Sequence, residues 1–407
     1  MKLWKQVLIG LILGVIAGLI LGEKAASLKI FGTIFISLVK MVIVPLIFFA
    51  VLSGITSMQE GGNLTRVGVK GFFGYIITSI FAVIIGLIFG NIFKPGEGIN
   101  LDQITKKLEI STFATTNTSL SFSDFLIGLI PTNPINAMAS DHFLQIIIFS
   151  IFAGITINVV GEKAKALREL INATSQVSFK MIEIIIKLAP IGVFGFIAWI
   201  VGTQGLDILK ALTKLVIALL AACTIQYLIF GLLILLFARI SPLPFYRKIL
   251  LTQSIAFSTS SSKATLSTAM SQLQDRMGVS KINSNFLMPL GVCINMDGTA
   301  IYLGICALFF SQAYGIDLTT SNYLILIFTC TLGSIGAAGI PSGSIIFMGM
   351  VLNSVGLPIE GIGIILGVDR ILDMVRTTIN ITGDTAIALI VDKSEGMLDE
   401  KTYYSKS

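Results

Sequence analysis

Between Asp317 and Glu360 the chain reads LTTSNYLILIFTCTLGSIGAAGIPSGSIIFMGMVLNSVGLPI, residues 318–359, 42 positions without a charge. A helix needs about 20 apolar residues to cross a bilayer core. The run is therefore too long for one span. Its middle, Gly333 to Ser344, is rich in glycine and carries Pro341. These residues break a helix and leave backbone groups free. Such backbone is tolerated at membrane depth only where protein buries it or where it lines a watery cavity. The stretch reads as a re-entrant hairpin, although length alone also allows two full spans.

Composition agrees with a membrane location. Charged residues make up 12% of the 407 positions, against about 25% in a soluble domain. Apolar residues reach 54%, and the mean hydropathy is +0.91. A soluble multi-domain enzyme, a disordered chain and a small disulfide scaffold are excluded. So is an outer-membrane barrel, which would show runs of about ten residues with alternating polarity. The net charge of +6 fits Lys- and Arg-rich cytoplasmic loops and does not call for nucleic acid. Cys223, Cys293, Cys306 and Cys330 lie in apolar stretches without CxxC spacing. They read as packed thiols.

Charge-free runs lay out the spans: about 4–22, 30–55 with Pro45 inside, 71–93, 125–161 with a break near Pro131 and Pro134, 181–206 and 215–238. The first could be a signal peptide, but no clear small-x-small site follows it, so it reads as a membrane helix. With a cytoplasmic N-terminus the inside loops hold Lys2, Lys5, Arg66, Lys70, Lys163, Lys165, Arg168, Arg239, Arg247 and Lys248. The outside loops hold Lys24, Lys29, Lys94, Lys106, Lys107, Lys210 and Lys214. That bias places the N-terminus inside. Arg276 and Lys281 stay inside only if residues 249–274 enter the membrane and return. Each arm there is too short to span, so the tip lies at Ser258 to Ser262. Two hairpins from opposite sides, each followed by a helix bearing Asp, suggest an inverted repeat with a site at the midplane. Both termini are then cytoplasmic.

Three constellations carry chemistry. On the last helix Asp369, Asp373, Arg376, Thr377, Asn380 and Asp384 fall within an arc of roughly 100°. A charge at a helix centre in lipid costs at least about 2.5–3.5 kcal/mol. The stripe must face water, ions or its own members. One reading is an internal salt-bridge set that only fixes the bundle. The other is a binding stripe, in which a carboxylate takes an ammonium and a guanidinium forks onto a carboxylate. The second constellation is Asn295-Met296-Asp297-Gly298-Thr299, a mid-span glycine among oxygen donors. It suggests an unwound helix that suits sodium or a proton, or else a capped kink. The third is the Ser/Thr tip, whose broken helix ends suit an anion, though Ser and Thr also pack between membrane helices. Tyr75, Thr78 and Ser79 form a much weaker signal.

Together, Ser260-Ser261-Ser262, the Asn295 to Thr299 motif, Gly339-Ile340-Pro341 and the stripe from Asp373 to Asp384 resemble the dicarboxylate/amino acid:cation symporter family. The similarity runs from about residue 5 to 393. It implies an all-α polytopic membrane protein, not an enzyme, with eight transmembrane helices and two re-entrant hairpins. It also implies a homotrimer working as an elevator. Scaffold helices would lie in 1–66 and 120–206. The transport domain would take 67–95 and 207–393, with hairpins at about 245–275 and 320–357, helices at about 282–314 and 360–392, and a cytoplasmic tail at 394–407.

The resemblance also implies roles. Asp373 would hold the substrate ammonium and Arg376 its side-chain carboxylate, with Thr377, Asn380, Thr299 and backbone at Ser260, Ser262, Ile340 and Ser344 completing the pocket. One sodium site would use Asp384, Gly291, Asn295 and Asn380. A second would use backbone at Cys293, Ser334, Ile335 and Ala337. A third would use Asp297, Asn295, Tyr75, Thr78 and Ser79. There are departures. Lys263 follows the serines, and neither accessory arginine position, Ser260 or Met374, holds arginine. Arg370 pairs with Asp373, pairs with Asp369, or takes over the accessory role.

The expectation is a sodium-coupled importer of L-glutamate or L-aspartate in a prokaryotic inner membrane, with no cofactor. The alternative is a proton-coupled or C4-dicarboxylate symporter. A serine hydrolase would need a base near the tip. The only histidine, His142, lies in the 125–161 run beyond its proline break and far from the tip in sequence, leaving a Ser–Lys dyad with Lys263. One Asp–Arg stripe that grips its substrate argues against a passive channel.

Overall fold

The computed structural model describes residues 3–56, 62–99, 127–140, 142–205, 207–336 and 344–405. Among the described residues every regular element is helical. The apolar runs leave little choice, because a helix satisfies its own backbone without water. α1 is Leu3–Leu21, α2 Lys29–Thr56, continuous through Pro45, and α3 Gly62–Phe93. α4 is Phe143–Val160, α5 Lys165–Ile186, α6 Ala189–Gln204 and α7 Asp207–Leu233, which ends in a π turn to Ala238. Among the described residues five stretches are long and apolar enough to cross a membrane: Lys5–Thr56, Arg66–Phe93, Phe143–Ile186, Ile208–Ala238 and Lys281–Tyr314, joined helices counting as one.

The expected span at 181–206 is instead two helices. α5 begins at Lys165 and ends at Ile186, and α6 starts at Ala189 with Pro190 in its first turn. Residues 165–180 carry charges on one face, so counting charge-free positions passes over a helix that periodicity marks. Pro190 lacks an N–H and clashes with a preceding turn, which breaks the helix there.

α1 lies against α6 through Gly10, Gly14 and Gly18. A methyl group on them would fall 2.4, 2.8 and 2.7 Å from the carbonyl oxygens of Pro190, Phe194 and Ala198. Small residues every fourth position let two membrane helices touch backbone to backbone. α2 packs on α4, α5 and α6. α3 and α7 belong elsewhere and pack with the C-terminal helices.

Those helices are broken once and hairpinned twice. α8, Leu250–Thr259, and α9, Ser262–Ser271, meet at Ser260, whose φ of +52° is left-handed. Ser261 caps α9, its hydroxyl accepting from the Ala264 amide at 3.3 Å. α10, Lys281–Ile294, stops at Asn295, and α11, Asp297–Tyr314, starts after Met296. α12, Thr320–Gly336, packs against α13, Ser344–Ser354. The predicted tip Gly339-Ile340-Pro341 and Ala337 lie outside the described residues. α14, Leu366–Ser394, runs unbroken and is touched by α7, α8, α9, α10 and α11.

Candidate binding site on α14

All six polar side chains of the stripe are buried: Asp369, Asp373, Arg376, Thr377, Asn380 and Asp384. Arg376 is completely enclosed. Its Nη2 donates to Asp373 Oδ1 at 2.8 Å. Its Nη1 lies 2.9 Å from Asp369 Oδ1, an ion pair by distance whose angle falls short of a hydrogen bond. The guanidinium also sits 4.0 Å from the centre of the Tyr302 ring, which adds a cation–π contact. Arg370 Nη1 approaches the other Asp373 oxygen at 3.4 Å. The competing readings of the stripe thus meet in one object, an ion-paired set with donors to spare. Arg376 Nε is buried without a partner among the described residues. An unmet buried donor costs about 1–3 kcal/mol. A carboxylate ligand would satisfy it.

The break between α10 and α11 is held against this helix. The Gly298 amide donates to Asn380 Oδ1 at 2.8 Å. A methyl group on Gly298 would lie 2.5 Å from the Arg376 carbonyl oxygen, so only glycine lets α11 begin there. Thr299 is buried in the same first turn. Thr377 donates to the Asp373 carbonyl oxygen at 2.8 Å, an ordinary back-bond along its own helix.

Two oxygen-rich clusters flank the break. Asn295 Nδ2 donates to Asp384 Oδ1 at 3.0 Å, and Thr78 Oγ1 donates to Asn295 Oδ1 at 3.2 Å. Asp384 Oδ2 is buried with no partner among the described residues. Gly291 stands beside the other oxygen of that carboxylate: a methyl group there would be 2.9 Å from both Asp384 Oδ1 and the Tyr75 hydroxyl. A carboxylate with one orphaned oxygen next to a position without a side chain suits a small hard cation. The second cluster centres on buried Asp297, whose oxygens accept from Ser79 at 2.8 Å and Gln226 at 3.0 Å. The Tyr75 hydroxyl points instead to the Leu287 carbonyl oxygen, 3.0 Å away.

The remaining predicted residues are placed as follows. Ser260 and Ser262 are buried at the first hairpin tip, and Ser344 is buried at the start of α13; the hydroxyls of all three lack a partner among the described residues. Ser334 is buried and donates to the Thr331 carbonyl oxygen, and Ile335 is half-buried. Cys293 lies in the last turn of α10, where carbonyls lose their intrahelical donors. Lys263 places its ammonium 4.0 Å over the Phe179 ring of α5.

Sequence reasoning missed two residues. Gln226 is the only amide side chain in the apolar run 215–238, a detectable oddity. Tyr302 had no signal, being one aromatic among many.

Known proteins resolve the kind of machine. The model of the sodium:dicarboxylate symporter family matches residues 3–394. The chain belongs to that family. It is therefore a multi-pass membrane transporter rather than an enzyme, moving small molecules together with cations. It is 33% identical over 405 residues to the proton/sodium-glutamate symport protein of Bacillus caldotenax, covering 97% of this chain and 95% of that one. It is 35% identical over 400 residues to the C4-dicarboxylate transport protein of Rhodospirillum rubrum, covering 98% and 89%. The proton/glutamate-aspartate symporter of Bacillus subtilis is 32% identical over 98% of this chain and 96% of its own.

Proposed function

We propose that this symporter imports L-glutamate or L-aspartate, coupled to sodium. The observation that carries the reading is the fully buried Arg376, held by Asp373 and Asp369 yet left with an unmet donor. In this scheme the substrate's side-chain carboxylate completes Arg376. Asp373 takes the α-ammonium, and Asn380, Thr377 and Thr299 line the pocket with the two hairpin tips. A substrate that brings a positive charge would supply Asp373 with a counter-charge as Arg376 turns to the carboxylate. Sodium sites are assigned to Asp384 with Asn295 and Gly291, to Asp297 with Ser79 and Thr78, and to the carbonyls near Cys293 and Ser334. The orphaned Asp384 oxygen supports the first of these.

The movement is assigned to an elevator. α1, α2 and α4 to α6 form the fixed scaffold of a homotrimer, and α3 with α7 to α14 form the sliding body. The grouping of contacts supports that division: α14 gathers α7 to α11, whereas α2 gathers α4 to α6. Eight full spans, two re-entrant hairpins, cytoplasmic termini and an inner membrane complete the scheme. A second reading, a C4-dicarboxylate substrate or proton coupling, is favoured by the names of the relatives.

The test is uptake of labelled L-aspartate and L-glutamate into proteoliposomes with a sodium or a proton gradient imposed separately. Uptake with sodium alone is expected. Uptake with protons alone would transfer the coupling to protonated carboxylates. No uptake under either gradient would overturn the amino-acid assignment.

A further inference from the structure

Asp373 is flanked by two cations. Arg376 Nη2 sits 2.8 Å from Oδ1, and Arg370 Nη1 sits 3.4 Å from Oδ2. Residues 370, 373 and 376 are three apart, so Asp373 lies between the two arginines on the helix surface. The Asp373 side chain is 8% exposed and that of Arg370 13%. Arg370 and Asp369 also form the polar end of an otherwise apolar cavity bounded by Val7, Phe35, Val39 and Ile182. Arg370 therefore sits where α14 faces α1, α2 and α5. Its Nε is buried with no partner among the described residues.

This geometry changes what the pocket can accept. When Arg376 turns to a substrate carboxylate, Asp373 needs another counter-charge, because a buried carboxylate without one is strongly disfavoured. An amino acid brings its ammonium. A diacid without nitrogen brings nothing, and Arg370 is already in place to remain on Asp373. We propose that Arg370 is a specificity-determining residue: as the built-in counter-charge of Asp373 it makes the substrate ammonium optional, so one pocket takes both acidic amino acids and C4 dicarboxylates. This rests on the acidic-substrate reading above.

The experiment is equilibrium binding of labelled L-aspartate and labelled succinate to the purified full chain, for wild type, Arg370→Gln and Arg370→Lys. The expected result is that wild type binds both. Arg370→Gln should weaken succinate at least about tenfold more than L-aspartate, a factor worth 1.4 kcal/mol. Arg370→Lys, which keeps the charge, should recover most of the succinate binding. In an Asp373→Asn background the carboxylate needing Arg370 is gone, so Arg370→Gln should cost succinate nothing further. That cycle also separates the proposal from a folding defect, which would weaken binding in either background. Binding of L-aspartate without succinate by wild type would overturn the proposal and leave the amino-acid reading intact. So would a parallel loss of both ligands in Arg370→Gln. Failure of wild type to bind either L-aspartate or L-glutamate would instead overturn the reading on which the proposal rests.

Discussion

The helices α1, α2 and α4 to α6 and the helices α3 and α7 to α14 bury polar atoms in opposite ways. In the first group the buried polar residues among those described are hydroxyls, Thr56, Ser150, Ser175 and Ser178. Ser150 donates to the Ile146 carbonyl and Ser178 to that of Thr174, each within its own helix. In the second group the buried polar residues include Asp297, Asp369, Asp373, Arg376, Asp384 and Asp392. Several of their bonds cross from helix to helix, Ser79 and Gln226 to Asp297 and Asn295 to Asp384, while Arg376 pairs with Asp369 and Asp373 within α14. A hydroxyl that bonds back to its own turn is satisfied within its helix. A charge bonded across helices is costly to hold, and several of these atoms still lack a partner.

Substitutions can break that contrast. The largest effect is expected for Asp373→Asn, which should abolish amino-acid uptake by removing the ammonium partner; normal glutamate uptake by this variant would refute the assignment. Arg376→Cys comes next. Breaking a desolvated charge pair costs about 2–5 kcal/mol, so competition assays should show acidic substrates weakened by tens- to thousands-fold and neutral ones relatively favoured. Asp384→Asn should raise the sodium concentration for half-maximal binding before it alters substrate preference. Gln226→Leu should have a smaller effect of the same kind, because Ser79 still holds Asp297; one lost hydrogen bond to a charged group is worth about 1.5–3 kcal/mol. Least is expected of Lys70→Ala. Lys70, near the start of α3, pairs with Glu395 just past the end of α14 and holds that carboxyl below the usual range, so the pair stabilises above that range and the benefit fades as pH falls through it. Uptake should be unchanged in that variant, and a large loss would mean the ion pair at the end of α14 is coupled to transport.

Much of this was readable in the chain. The Ser/Thr-rich arms at 249–274 became α8 and α9, and the Asn295 motif became the break between α10 and α11. Both signals are local, a helix breaker set in an apolar run. The stripe on α14 was legible because helical spacing puts its residues on one face. What spacing could not decide was partnership. Arg370 could reach Asp369 or Asp373, and only the packed side chains put it on Asp373. Gln226 is 71 residues from Asp297, so their bond depends on how α7 meets α11. α5 was missed because its charges hide it from a search for uncharged runs. The glycines at 10, 14 and 18 were in plain view, but their meaning needed α6 beside them.

The central claim is that the buried charges of α14 form a ligand site rather than a structural brace. Thermal unfolding of purified wild type and Asp373→Asn, each with and without saturating L-aspartate in sodium, tests it most directly. A ligand that binds only the folded state raises the melting temperature. The account predicts a clear rise for wild type and none for Asp373→Asn. An equal rise in both proteins would contradict it, as the ligand would then be bound without the aspartate assigned to hold it.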